Sequence, residues 1–144
     1  MLPATNMNTI ASMNEHVDAF LAAVSTFAIA HPNVRALVLV GSYARGTARP
    51  DSDIDVIVLV DDPTAFLDQI GWVRVFGDVS HASREYWGRL TALRIRYDSG
   101  LEVEFGLTKP EWALVPDAGT IEVLRDGFQV IFDPSGMLER FVRV

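Results

Sequence analysis

Residues 41 to 55 read GSYARGTARPDSDID, and they carry the side chains best suited to chemistry. Gly41 and Ser42 follow a wholly apolar run, Ala36 to Val40. Beyond a spacer of ten residues after Ser42 comes the pair Asp53 and Asp55, and a second apolar run, Val56 to Val60, starts at once. A buried strand therefore ends in a small-residue turn, and the next buried strand opens with two carboxylates. Gly41 has no Cβ, so backbone can approach a ligand closely there or take a positive φ. Ser42 adds a hydroxyl, and successive turn N–H groups can form an anion-binding nest. Arg45 and Arg49 can offset phosphate charge, with Gly46 loosening the loop between them. Side chains alternate along a strand, so Asp53, Asp55, Ile57 and Leu59 share one face and Ile54, Val56, Val58 and Val60 the other. By strand rise the two carboxylates stand about 7 Å apart at Cα. That suits one Mg²⁺, or two ions about 4 Å apart, as in two-metal phosphoryl chemistry. Mg²⁺ takes hard oxygen ligands and usually shares them with substrate phosphates.

Either half of this pattern is ordinary alone. Gly and Ser are common turn residues, and Asp-x-Asp pairs also serve glycosyltransferases, where they hold a metal and a nucleotide-sugar. The conjunction of strand, Gly-Ser, spacer, Asp-x-Asp and strand is far more specific. It resembles the signature of the DNA polymerase beta-like nucleotidyltransferase superfamily. The string is closest to the small bacterial branch, the minimal nucleotidyltransferases and aminoglycoside adenylyltransferases. The resemblance implies that Gly41 and Ser42 contact a triphosphate and that Asp53 and Asp55 ligate Mg²⁺. It also implies a third carboxylate from a later strand, acting as metal ligand and base. The strand order extends the resemblance across roughly residues 12 to 108.

Two glutamates compete for that third place. Leu101 to Leu107 alternates, with Leu101, Val103, Phe105 and Leu107 on one face and Glu102, Glu104 and Gly106 on the other. In relatives an acidic residue stands four positions beyond a glycine turn and ahead of a proline. Here Gly100 plus four is Glu104, and Pro110 follows, so Glu104 is preferred to Glu102. Glu stands where Asp is commoner, which changes the reach by one methylene. Thr91 to Tyr97 also alternates, and a hairpin turning at Asp98-Ser99-Gly100 would set Arg94 opposite Glu104 and Arg96 opposite Glu102. Cross-strand ion pairs of that kind are structurally normal, so an ordinary acidic solvent face is the competing reading.

Composition narrows the function. The chain has 144 residues, 49% of them apolar and 22% charged, which fits one globular domain with a proper core. The net charge of −7 argues against a polymerase-like grip on nucleic acid, which needs a basic surface. There is no Cys, hence no disulfide framework, thiolate metal site or Cys nucleophile. No basic segment followed by an apolar stretch opens the chain, and no run approaches the ~20 apolar residues of a membrane span. An ATP-dependent reaction points to the cytoplasm. His16, His31 and His81 show no ligand spacing, and no Ser/His/Asp nucleophile setting is visible. Trp72, Trp87 and Trp112 are read as core or partner-facing, Tyr43 as touching nucleotide or filling space. Lys109, the only lysine, lies beyond the third-carboxylate strand.

The elements that must position these residues form a mixed α/β sheet of about five strands with helices mainly on one face. Residues 1–144 are read as a single domain, with 1–11 flexible. Ser12-Met-Asn-Glu15 reads as a capping box, opening a helix striped by Val17, Phe20, Leu21, Val24, Phe27 and Ala28 and ended by Pro32. Strands are expected at 34–40, 54–61, 72–76, 91–97, 101–108 and 128–132. Short helices are expected at 63–69, 83–90, 110–115 and 117–124, with a helical turn or two over 134–142. Together these readings describe a Mg²⁺-dependent nucleotidyltransferase that moves a nucleoside monophosphate, from ATP or another NTP, to an acceptor hydroxyl. Glu104 or a metal-held hydroxide takes the proton. The acceptor is a small molecule or a protein. Drug-modifying relatives carry an extra helical domain, and the segment after the third strand is too short for one, so a homodimer or a small helical protein partner of the HEPN type is expected to complete the site. An antitoxin-like role with such a partner, or a nucleotide-binding module without catalysis, are the alternatives.

Overall fold

The two apolar runs flanking the Gly-Ser turn are β1 (Val34–Val40) and β2 (Ile54–Val60), and they lie side by side, antiparallel, in the middle of the sheet. The computed structural model describes residues 4–142, with side chains from residue 15 onward. Leu37, Val38, Leu39, Ile54, Val56, Val58, Leu59 and Val60 are all buried. Each such side chain contributes about 1.5–3 kcal/mol by leaving water, so this strand pair anchors the fold. Four further strands complete a six-stranded sheet: β3 (Val79–Trp87), β4 (Leu90–Tyr97), β5 (Glu102–Thr108) and β6 (Phe128–Phe132). Their order is β3-β4-β5-β2-β1-β6. Only β2 and β5 run parallel; the other neighbours are antiparallel.

Helix α1 (Ala4–Ala30) covers one face. Val17, Phe20, Val24, Phe27 and Ala28 are buried against Leu37, Leu39, Val56, Val58 and Phe105, the stripe expected from their spacing. Phe20, Phe27, Trp72, Phe76 and Phe105 interlock there with ring centroids 4.9–6.0 Å apart. The short helix α3 (Pro63–Asp68) and a 3-10 helix (Ile70–Phe76) close this side. On the other face Ala36, Val38, Ile57 and Leu59 pack under α4 (Glu111–Leu114), α5 (Ala118–Arg125) and the C-terminal Met137 and Leu138. Asp117 caps α5, its carboxylate accepting the Thr120 N–H at 2.9 Å. The last helix is α6 (Glu139–Val142).

Three local expectations need correction. Helix α1 begins at Ala4, so Ser12 lies within it and is no cap; no Gly or Pro interrupts the sequence from Ala4 to Ala30. Residues 72–76 are 3-10 helix, not strand. Ile70, Val73 and Phe76 recur every third residue and turn inward while Val75 is 66% exposed, which is a 3-10 period rather than an alternation. Residues 83–87, expected to be helical, belong to β3. That strand forms the sheet edge and is solvated on both faces, so it carries no apolar alternation. Polar and charged residues such as His81, Arg84 and Glu85 suit an edge, where they discourage pairing with another chain.

Candidate functional site

The Gly-Ser turn folds as a single helical segment, α2 (Gly41–Arg45), set directly on the end of β1. Gly41 takes φ 76°, and Gly46 ends the segment at φ 73°. Both angles favour glycine. Ser42 C=O accepts the N–H groups of Gly46 and Thr47, tying off the turn. The chain then tightens again at Arg49–Ser52, where the Arg49 N–H reaches Ser52 Oγ at 2.8 Å, and delivers Asp53 and Asp55 to β2. Gly41 is pressed against Asp55. A Cβ there would lie 2.2 Å from Asp55 Oδ2. The glycine is required by space as well as by backbone angle.

One transverse row of the sheet carries the acidic site. Val40 pairs with Asp55, Asp55 with Glu104 on parallel β5, and Glu104 with Arg94 on β4. Arg96 pairs with Glu102, so the hairpin register is the one read from the sequence. Asp53 stands just before β2. Arg94 does more than face Glu104. Its Nη2 donates to Asp53 Oδ2 at 2.9 Å, Nη1 lies 3.5 Å from Glu85 Oε1, and Nε lies 3.9 Å from Glu104 Oε1. Arg96 Nε donates to Glu102 Oε1 at 2.7 Å.

The electrostatics follow from this crowding. Burial, then the hydrogen bond and negative charge of Glu104, push the Asp55 carboxyl up to about 7. Asp53 is also raised, by burial first and by its neighbour Glu102 next, with Arg94 pulling the other way. Glu102 is lowered, because Asp53 and then Arg96 hydrogen-bond its charged form. Two pairs of carboxyl groups thus tend to share protons, as like charges do when no cation separates them.

A cleft of about 740 Å³ opens in front of this row. Gly41, Arg45, Asp55 and Glu104 line one end. Gly106 and Ala92 form its floor with Ile57 and Leu90, and a Cβ at Gly106 would sit 3.0 Å from Leu90. Glu122, Val123 and Asp126 at α5 make one wall. Tyr86 and Trp87, 74% and 62% exposed, make the rim at the β3–β4 turn. Arg89 also lines it but is committed elsewhere, holding Asp117 at 3.2 Å, Val115 C=O at 2.9 Å and Thr120 Oγ1 at 3.1 Å.

The structure therefore gathers Gly41, Arg45, Asp55 and Glu104, while Asp53 lines a neighbouring hollow with Arg94, Arg96 and Glu102. Ser42 and Arg49 line neither space. Tyr43 packs against the α1-side core, so it fills space. Lys109 lies five residues along from Glu104, beyond the far end of β5. His31 stacks on Phe27 and bonds its carbonyl. The apolar C-terminal residues mostly finish the second core, with Val130 and Val142 left exposed. Sequence reasoning did not bring Tyr86, Trp87 or the α5 residues to this cleft. A polar edge strand gives no periodic signal, and the α5 residues join the site only through tertiary packing.

Asp53, Asp55 and Glu104 supply the hard oxygen donors that Mg²⁺ takes. Burial first and neighbouring acids next raise the Asp53 and Asp55 carboxyls. Yet among the described residues no three His, Asp or Glu side chains are already arranged to hold a metal ion. Asp55 and Glu104 face each other, and Asp53 is turned to Arg94. The donor set fits a divalent ion; its assembly is incomplete.

The structure is similar to that of an aminoglycoside 6-adenyltransferase from Bacillus subtilis, with TM-score 0.50 and 19% identity over 65% of this chain and 35% of that one. It also matches a cytoplasmic RNA terminal U-transferase, with TM-score 0.48 and 20% identity over 65% of this chain and 30% of that one. The Cid1 poly(U) polymerase matches with TM-score 0.47 and 18% identity, over the same shares. The chain thus spans about a third of the length of these structures. No curated protein matches the sequence. The family model described as nucleotidyltransferase domain matches residues 21–116, from α1 through β5 to α4, and so includes the Gly-Ser turn, both aspartates and Glu104. The expected kinship with polymerase beta-like nucleotidyltransferases is borne out, and the chain belongs to the nucleotidyltransferase domain family.

Proposed function

We propose that this chain is a Mg²⁺-dependent nucleotidyltransferase that moves AMP from ATP to an acceptor hydroxyl. The observation that carries the reading is the register Val40–Asp55–Glu104, which sets two facing carboxylates against a glycine turn that has no room for a Cβ. The triphosphate lies on the α2 side, where the first N–H groups of the segment have no intrahelical partner. Arg45 faces that end of the cleft and offsets phosphate charge. Asp53, Asp55 and Glu104 would hold Mg²⁺, which when bound polarises the transferring phosphoryl group and helps to ionise the acceptor hydroxyl. Glu104 Oε takes the acceptor's proton. Most of the rate enhancement comes from positioning and from charge placed in advance.

In-line displacement sets the acceptor opposite the departing pyrophosphate. With the triphosphate at α2, the acceptor enters from the β4–β3 side, past Trp87. Glu104, Glu122 and Asp126 line the cleft, and its cations are Arg45 and the committed Arg89. Such a lining supports a small-molecule or protein acceptor over a polyanion. The test is incubation with labelled ATP, Mg²⁺ and a panel of aminoglycosides, lincosamides and candidate proteins. Label transfer that is lost in Asp55→Asn supports the reading. A melting temperature unmoved by millimolar MgATP, together with no transfer, would sink it.

A further inference from the structure

Arg94 lies inside the carboxylate cluster. Register places it across from Glu104, yet its shortest contact goes to Asp53, 41 residues away in sequence. The guanidinium touches acids on three segments: Asp53 before β2, Glu85 on β3 and Glu104 on β5. A planar fork with five N–H donors can serve all three at once. Asp53 faces Arg94 in a hollow beside the cleft that Asp55 and Glu104 line. No metal-ready trio exists among the described residues.

We infer that Arg94 is the resident counter-cation of this site, holding Asp53 until a divalent ion takes that carboxylate over. The inference rests on reading Asp53, Asp55 and Glu104 as metal ligands. Unpaired carboxylates repel one another, so a guanidinium among them steadies the metal-free site. The same positive charge opposes a divalent ion, and Asp53 Oδ2 is the atom both would use. Metal alone therefore binds weakly. A nucleotide brings phosphate oxygens and negative charge, which tip the exchange. Glu85, already 3.5 Å away, gives the released guanidinium a partner. Arg94 is thus a positioning residue, acting on the metal through Asp53. A mere structural brace makes the opposite prediction, because its removal would loosen the site and weaken metal binding.

The test is calorimetric titration of Mn²⁺ into nucleotide-free wild type, Arg94→Gln and Arg94→Lys, with melting curves to confirm folding. Mn²⁺ should bind Arg94→Gln at least about tenfold more tightly, equivalent to about 1.4 kcal/mol. Arg94→Lys, a point charge without the fork, should fall between. Metal-free Arg94→Gln should also melt below wild type. Equal or weaker Mn²⁺ binding by both variants overturns the inference. Wild type with Mn²⁺ and a non-hydrolysable ATP analogue is the reference. If it shows metal-dependent stabilisation while neither variant gains, the inference falls and the metal reading stands. If no protein responds to metal under any condition, the metal reading falls and takes the inference with it.

Discussion

Gly41→Ala adds one carbon atom and separates two costs that glycine avoids. The first is backbone strain: φ 76° costs an L-residue roughly 1–2 kcal/mol. The second is collision. The new Cβ would sit 2.2 Å from Asp55 Oδ2, against a floor of 3.0 Å for real contacts, so the carboxylate must retreat by about 0.8 Å. Gly46→Ala is the natural control. Its φ of 73° carries the same strain, but nothing lies within 4 Å of its Cβ. In a protein of this size 1 kcal/mol moves the melting temperature by about 2–4 °C. Both variants should therefore lose several degrees, with Gly41→Ala losing more. They should part company on function. A misplacement near 1 Å can cost about 100-fold in rate, so Gly41→Ala should lose transfer by that order and most of its MgATP-dependent thermal shift. Gly46→Ala should retain both within a few-fold. Paired melts with and without MgATP, beside the label-transfer assay, decide it. Equal losses of stability and activity in the two variants would refute the claim that Asp55 is held by the missing Cβ.

Three further outcomes are expected. Asp55 has a raised carboxyl, about 7 against 3.8, so its protonated form favours the folded state: that stability is full below about pH 4 and is lost as pH rises through 7. Metal-free protein should accordingly melt lower at pH 8 than at pH 5, and Asp55→Asn should flatten this slope; an unchanged slope would point to other groups. Glu104→Gln should reduce transfer at least ~100-fold while Glu102→Gln stays near wild type, since Glu102 is already occupied by Arg96 at 2.7 Å; equal mild losses would demote Glu104 to a surface acid. Tyr97→Phe removes the hydroxyl that donates to Val73 C=O at 2.8 Å in the buried core and should cost about 1–3 kcal/mol by chemical denaturation with no effect on transfer.

The parts of this protein legible in its sequence are those governed by a short period. Ala36–Val40 and Val56–Val60 are apolar throughout because both faces of the central strands are covered, by α1 on one side and by α4, α5 and the C-terminal segment on the other. The α1 stripe and the short helix after Asp117 were equally readable. So was the β4–β5 register, because one tight turn fixes which residues oppose one another, and that placed Arg94 against Glu104. Strand β3 was illegible for the reverse reason. It pairs on one side only, so water supplies what an apolar face would otherwise need, and Val79–Trp87 carries neither a helical nor a strand period.

The site divides along the same line. The positions of Gly41 and Asp55 at the ends of strands were legible because strand ends follow from the apolar runs, and Glu104 falls on the polar face of an alternating strand. What the sequence did not disclose is the competition for Asp53. A register argument assigns each arginine one partner, yet Arg94 has three within 4 Å, and the nearest comes from a loop. Long flexible side chains settle where charge is most concentrated, and that depends on β3, β4, β5 and the 49–53 loop meeting in three dimensions. Five acids, Asp53, Asp55, Glu85, Glu102 and Glu104, converge there upon two guanidinium groups. Burial first, and then the hydrogen bond and charge of Glu104, leave Asp55 raised toward neutrality in the metal-free chain. On the reading proposed above, a divalent cation that takes Asp53 must displace the guanidinium that holds it.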